Sequence, residues 1–206
     1  MPAASDLTRL SPSLLLWQAY DPAVKADLFS TALVTANGIY LIDPIPLDRD
    51  PLNELIHLGP IRGIIVTNAN HWRAAPEFGA KFSVPIVAKT ESLPAKSDVD
   101  FHEIGDGANI DQELSAIAID GAAPGEIALI WAPAGGTLIV GDALINFKPA
   151  GFALLPAKYC TNHRTMRRSL RKLLDCQADR IFFAHGSPIT TKAGERLRQL
   201  LDADAD

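Results

Sequence analysis

Apolar residues along this chain fall in short blocks cut off by glycine, proline, asparagine and aspartate, and the spacing inside each block separates strands from helices. SLLLWQAY (13–20) reads as a strand. DLFSTALVTANGIYLIDPI (27–45) reads as two strands joined through Asn37 and Gly38, a pair suited to a tight hairpin turn. LDRDPLNELIHLG changes period to a helix, with Asp48 or Asp50 near its start, Pro51 in the first turn and Gly59 as its stop. IRGIIVTN predicts a buried strand, a helix begins near Arg73, and VPIVAK predicts another short strand. Turn formers make IGDGANIDQ a loop between two halves.

The second half repeats the plan. ELSAIAIDG, EIALIWAP and TLIVGDALI are β-rich segments separated by turn signals at 122–125 and at Gly135-Gly136, and three adjacent strands imply a second sheet. TNHRTMRRSLRKLLD predicts a helix with Met166, Leu170, Leu173 and Leu174 on one face. IFFAHGS is a strand ending in a polar loop, and TKAGERLRQLLDAD closes the chain as a helix. Two sheets inside flanking helices predict a four-layer αββα sandwich: one α/β domain over 1–206, its halves near 1–105 and 110–206.

Composition narrows this reading without redirecting it. A chain of 206 residues, 48% hydrophobic and free of long polar tracts, has enough apolar residues for one domain with a real core. The start, MPAASDLTRL, has Asp6 where a secretory signal needs a basic region before an apolar one, and no apolar run approaches the roughly 20 residues that span a bilayer. The expectation is a cytoplasmic protein without a membrane partner. Cys160 and Cys176 stand far apart in no C-x-x-C pattern, which favours ordinary reduced thiols. A net charge of −5 argues against general nucleic-acid binding.

Candidate chemistry concentrates in IIVTNANHWRAAPEFG (64–79), a strand, loop and helix in sequence. Loops at the C-terminal ends of strands carry the chemistry of open α/β proteins, so Asn68, Asn70, His71, Trp72 and Arg73 are the first candidates. His57, His102 and His163 read as surface or capping residues, and Trp17 and Trp131 as packing. Trp72 is balanced between plugging a cavity and lining it. Arg164, Arg167, Arg168, Arg171 and Lys172 read as the solvated side of an amphipathic helix. Ser115 and Ser187 lack a G-x-S-x-G elbow, and no P-loop or G-x-G-x-x-G fingerprint is present.

Five short blocks, in order, resemble the metallo-β-lactamase superfamily. GIYLIDPIP looks like that family's early strand ending in aspartate, and VTNANHWRAA takes the place of its T-H-x-H-x-D-H signature. GAAPGEIAL resembles the G-H-T-P-G-S block, TLIVGDALI the strand ending in G-D, and FFAHGSPI the late histidine loop. The resemblance places the signature's histidines on Asn68, Asn70 and Arg73, its aspartate on Trp72, and the G-H-T-P-G histidine on Ala122. Only Asp142 and His185 keep the family's ligands.

That substitution pattern implies an empty first metal position, because an amide oxygen is a poor zinc ligand and a methyl group is none. Arg73 is expected to replace the second metal's charge by hydrogen bonding to Asp142. Three functions follow. The leading one is a member with a degenerate active site and no metal, acting as a binding or regulatory protein toward a small molecule or another protein. The alternative is a hydrolase of an ester, thioester or lactone in which a shifted loop lets His71 join Asp142 and His185 around one zinc, iron or manganese ion. The weakest is a nucleic-acid module using helix 163–172. Sequence leaves the oligomeric state unread.

Overall fold

Strict alternation inside the apolar blocks sorts their side chains onto the two faces of each strand and so into separate cores. The computed structural model describes residues 1–95, 98–147 and 151–203. Its first half contains β1 (Thr8–Ser11), β2 (Leu14–Asp21), β3 (Ala26–Thr35), β4 (Gly38–Ile42), α1 (Arg49–Ile56), β5 (Ile61–Ile65), α2 (Ala75–Phe82), β6 (Ile86–Ala88) and β7 (His102–Glu103). The second contains β8 (Asn109–Asp111), β9 (Leu114–Ala118), β10 (Ile127–Trp131), β11 (Thr137–Val140), β12 (Leu144–Phe147), β13 (Gly151–Leu154), α3 (His163–Leu170), β14 (Arg180–Phe183) and α4 (Ala193–Ala203).

Strands β1 to β7 form one sheet in sequence order, antiparallel up to β4 and parallel from β4 to β7. A second sheet runs β14-β11-β10-β9-β8, with β11 and β14 parallel. Leu14, Leu16, Leu33, Tyr40, Ile42 and Ile65 of the first sheet face Leu114, Ile127, Leu129, Ile139 and Phe182 of the second. Their immediate neighbours point the other way. Leu15, Trp17, Ile39, Leu41 and Ile64 pack on Leu52 and Leu55 of α1 and on Ala75 and Phe78 of α2. Ala128, Leu138, Val140, Ile181 and Phe183 pack on Met166 and Leu170 of α3 and on Leu197 and Leu201 of α4. Both faces of the central strands are buried, which is why they read as unbroken apolar runs. The result is the αββα sandwich.

Local signals account for the boundaries and for the departures. Asn162 caps α3 by accepting a hydrogen bond from the Thr165 N–H, so His163 is the first helical residue and not the cap. The helix ends at Leu170 and continues as a 3₁₀ turn over Arg171–Asp175. IGDGANIDQ is not all loop, since β8 lies within it and pairs with β9. TLIVGDALI is two strands, because Gly141 and Asp142 break it and β12 leaves to pair with β13 in a separate two-stranded sheet. Asp204, the end of the closing-helix segment, lies outside the described residues. Among the described residues no helix is long and apolar enough to cross a membrane.

Candidate metal centre

Two parallel pairs of strands, β4 with β5 and β11 with β14, end at one edge of the sandwich, and a polar or charged residue follows each strand: Asp43 after β4, residues 67–73 after β5, Asp142 after β11 and His185 after β14. Backbone bonds stitch the two sheets together at this edge. Ile127 donates to the Thr67 carbonyl at 2.8 Å, Ala69 to Pro124 at 3.0 Å, and Phe29 to Ala184 at 3.0 Å. Asn146 donates to the His185 carbonyl at 3.1 Å, and the Asn146 carbonyl accepts from Ser187. Gly186 permits that crossing: its φ is +107° and a Cβ there would lie 2.1 Å from the Asn146 oxygen.

His71 is the centre of the cluster. Its Nδ1 bonds Asp43 Oδ2 at 2.9 Å, and its Nε2 lies 3.2 Å from Asp142 Oδ1. His185 Nε2 lies 3.2 Å from the same Asp142 oxygen and 3.3 Å from His71 Nε2. Asn70 donates to the other Asp142 oxygen at 2.8 Å. Behind His71, the Thr67 N–H and hydroxyl both donate to Asp43, at 2.8 and 2.6 Å. Asp43 and Arg73 are non-glycine residues held at φ of 49° and 38°, a conformation that persists only when surrounding bonds fix it.

The charges are set by burial against pairing. Burial and Arg73 both oppose a proton on His71, but the Asp43 and Asp142 carboxylates outweigh them and raise its pKa to about 9. Burial works against ionised Asp142 as well, and the cationic His71 with the His185 hydrogen bond carries it far below the usual carboxylate range. Burial lowers His185, and the His71 and Arg73 charges add to that against its bond with Asp142. Glu126 is 3% exposed; burial and the Asp142 charge raise its pKa to about 8, against the Ala143 N–H, the His71 charge and the Asn68 amide.

A pH dependence follows for the metal-free protein. Glu126 keeps its proton in the fold up to about pH 8 but loses it near 4.5 when unfolded. Stability from this group is therefore complete below pH 4.5 and is lost as pH rises toward 8. Urea midpoints measured between pH 5 and 8.5 should carry a downward component that Glu126→Gln removes; an unchanged slope in that variant would contradict the assignment.

The structure brings together most of the sequence candidates and parts from others. Asn70, His71, Asp142 and His185 meet as described, and Asn68 joins them by accepting from the Asn70 N–H at 2.8 Å and donating to Glu126 at 2.7 Å. Trp72 turns away, buried in the core between the first sheet and its helices, with its Nε1 donating to the Ser92 carbonyl at 2.6 Å and its ring edge-on to Phe101. It packs in that core and does not line the site. Ala122 is fully buried in the helix-side core of the second sheet. Arg73 does not hydrogen-bond Asp142: its Nη1 donates to the carbonyls of Phe29 at 2.7 Å and Asp43 at 3.0 Å, because its left-handed backbone swings the side chain toward β3 and β4. It acts on Asp142 only through its charge. In the 3₁₀ turn that continues the basic helix, Arg171 bonds Asp202 and the Leu201 carbonyl, and Lys172 bonds Asp106 and the Ala118 carbonyl.

The sequence reading gives Asp43, Thr67, Glu126 and Gly141 no role at the site, although each stands in a quoted block. For the two acids the available signal is an acid directly after an apolar run or a tight turn, as in YLID and APGE, where burial demands partners.

The sequence profile of the metallo-beta-lactamase superfamily matches residues 6–203. No curated protein matches the chain in sequence. The fold is similar to that of VMB-1 crystallised at pH 5.5, with a TM-score of 0.76, 15% identity and full coverage of both chains. It is similar to the DIM-1 metallo-beta-lactamase at 0.74 and 13% over 99% of each chain. A metallo-beta-lactamase family protein from Thermus thermophilus gives 0.69 and 18%, over 95% of this chain and 79% of that one.

Proposed function

Because this chain belongs to the metallo-β-lactamase superfamily, we propose that its site is a single-metal centre serving hydrolysis of an ester, thioester or lactone, with His71, Asp142 and His185 as the ligands. One observation carries the reading. The three ligand atoms form a triangle with edges of 3.2, 3.2 and 3.3 Å, and bonds of about 2.0–2.1 Å around a tetrahedral ion would set them roughly 3.3 Å apart. Two imidazoles and a carboxylate suit zinc, iron or manganese. Asp43 on the far nitrogen of His71 supports this too, since a carboxylate behind a ligating histidine fixes its tautomer and orientation.

The positions of the family's first metal do not fit an ion. Ala122 offers no donor, and Asn68 is committed on both sides, accepting from the Asn70 N–H and donating to Glu126. A divalent ion at the His71 site would supply Lewis acidity, polarising a carbonyl and acidifying water. The chain's own residues do the rest. Asn70 and Ala143 hold the Asp142 segment in place, through the Asn70 side chain and the Ala143 N–H. The side chains of Asp142 and His185 keep 11% and 16% exposure while His71 keeps 1%, so one side of the triangle is open to a substrate.

The test is hydrolysis of a panel of esters, thioesters and lactones by protein loaded with one equivalent of zinc, iron(II) or manganese(II). Turnover should appear with metal and disappear with Asp142→Asn, together with bound metal; turnover that survives Asp142→Asn would refute the assignment. Charge balance favours a second reading, a metal-free binding protein for a small molecule or a partner protein. Asp43 and Asp142 are already matched by Arg73 and a protonated His71. Under that reading added zinc leaves stability unchanged, whereas a true site gains about 2.7 kcal/mol at a free metal concentration of one hundred times Kd.

A further inference from the structure

Glu126 joins the two loops on which the proposed centre depends. Its Oε2 accepts from Asn68 Nδ2 at 2.7 Å, and its Oε1 accepts from the N–H of Ala143 at 3.0 Å. Asn68 cannot be turned round, because its Oδ1 is held by the Asn70 backbone N–H at 2.8 Å, a donor whose identity does not depend on amide orientation. Asn70 then reaches Asp142 Oδ2. One carboxyl therefore steadies Asp142 from two directions: along the chain through Ala143, and across the cleft through Asn68 and Asn70. The loop that it grips also carries His71.

Resting on the single-metal reading, we infer that Glu126 is a positioning residue that locks loops 67–71 and 141–143 into one unit and so presets Asp142 and His71 for the ion. It does by hydrogen bonding what a first metal would have done by ligation at Asn68, Asn70 and Ala122.

The bond polarity makes a specific rescue available. Glu126→Gln keeps shape but offers one acceptor where two are needed, so either Asn68 or Ala143 loses its partner. Asn68→Asp alone takes away the amide donor, so the two carboxyls face each other and stay linked only through a proton held by Glu126. The swap of both restores every bond: the oxygens of the introduced aspartate accept from Asn70 and from the introduced glutamine amide, whose own oxygen accepts from Ala143. Cobalt(II) alone is the probe, read by its visible absorption and by competition with a chelator, beside urea midpoints of the metal-free proteins.

Each single variant should weaken cobalt binding by about 10- to 100-fold and alter the visible band, and the swap should recover most of both. Lower urea midpoints in the single variants with unchanged cobalt affinity and spectrum would mean a purely structural role and overturn the inference. Losses in the swap equal to the product of the single losses would overturn it too. If Glu126→Gln cannot be purified, Asn68→Asp and the swap carry the comparison: cobalt affinity lost in the single variant and recovered in the swap supports the inference, and an insoluble swap sinks it. Wild type that binds no cobalt removes the single-metal reading; the urea midpoints then decide the locking role, recovery supporting it and additive losses ending it.

Discussion

His71→Ala should abolish metal binding and lower the stability of the metal-free protein by about 3 kcal/mol, the low end of the range for breaking a buried ion pair. The imidazole is 1% exposed and stands between two carboxylates whose side chains are 3% and 11% exposed. Removing it leaves Asp43 with Thr67 and the charge of Arg73, and leaves Asp142 with Asn70 and His185. Those remaining donors keep the cost from reaching the upper end. For a chain of this size the thermal midpoint should fall by about 6–12 °C. Calorimetry of chelator-treated wild type and variant reads the difference. A loss below about 1 kcal/mol would mean that the carboxylates do not need the imidazolium.

Gly141→Ala should cost about 3 kcal/mol, the top of the usual range for overpacking, for a single added methyl group. Gly141 is not among the positive-φ residues, so alanine has no backbone objection and the effect is steric. Its Cβ would lie 2.6 Å from Thr67 Oγ1, 2.7 Å from Glu126 Oε1 and 2.8 Å from Asn68 Nδ2. None of the three can yield, because each is fixed in a hydrogen bond that supports Asp43 or the Asp142 loop. Metal affinity should fall with stability. Gly105→Ala is the control: nothing lies within 4 Å of its Cβ position, and the change should stay within about 0.5 kcal/mol of wild type. Equal urea midpoints for the two variants would contradict the packing described at Gly141.

The sandwich was legible because burial on both strand faces leaves an unmistakable mark. Blocks such as LLLW and GIIV have apolar residues at consecutive positions, and turn residues fall between them at Asn37-Gly38 and Gly135-Gly136. β1, β7 and β8 were hidden for the opposite reason. They are short edge strands whose residues are mostly exposed, so no pattern marks them.

The candidate site was legible in its ligating residue types and not in its geometry. Motif register placed Trp72 and Arg73 at metal-ligand positions, but register follows the chain, and where a side chain points depends on φ. Arg73 in the left-handed region reaches the carbonyls of Phe29 and Asp43, while Trp72 enters the helix-side core. Glu126 and Gly141 stayed out of view because their roles are contacts between loops distant in sequence, to Asn68 and Ala143 in one case and to Thr67 in the other. No local pattern records such a contact.

The measurement that bears most directly on the single-metal centre is elemental analysis of untagged protein purified without chelator, run beside His71→Ala and Asp142→Asn. The account predicts close to one equivalent of zinc, iron or manganese in the wild type and almost none in either variant. Metal-free wild type that also fails to take up any of the three ions when they are added would contradict it.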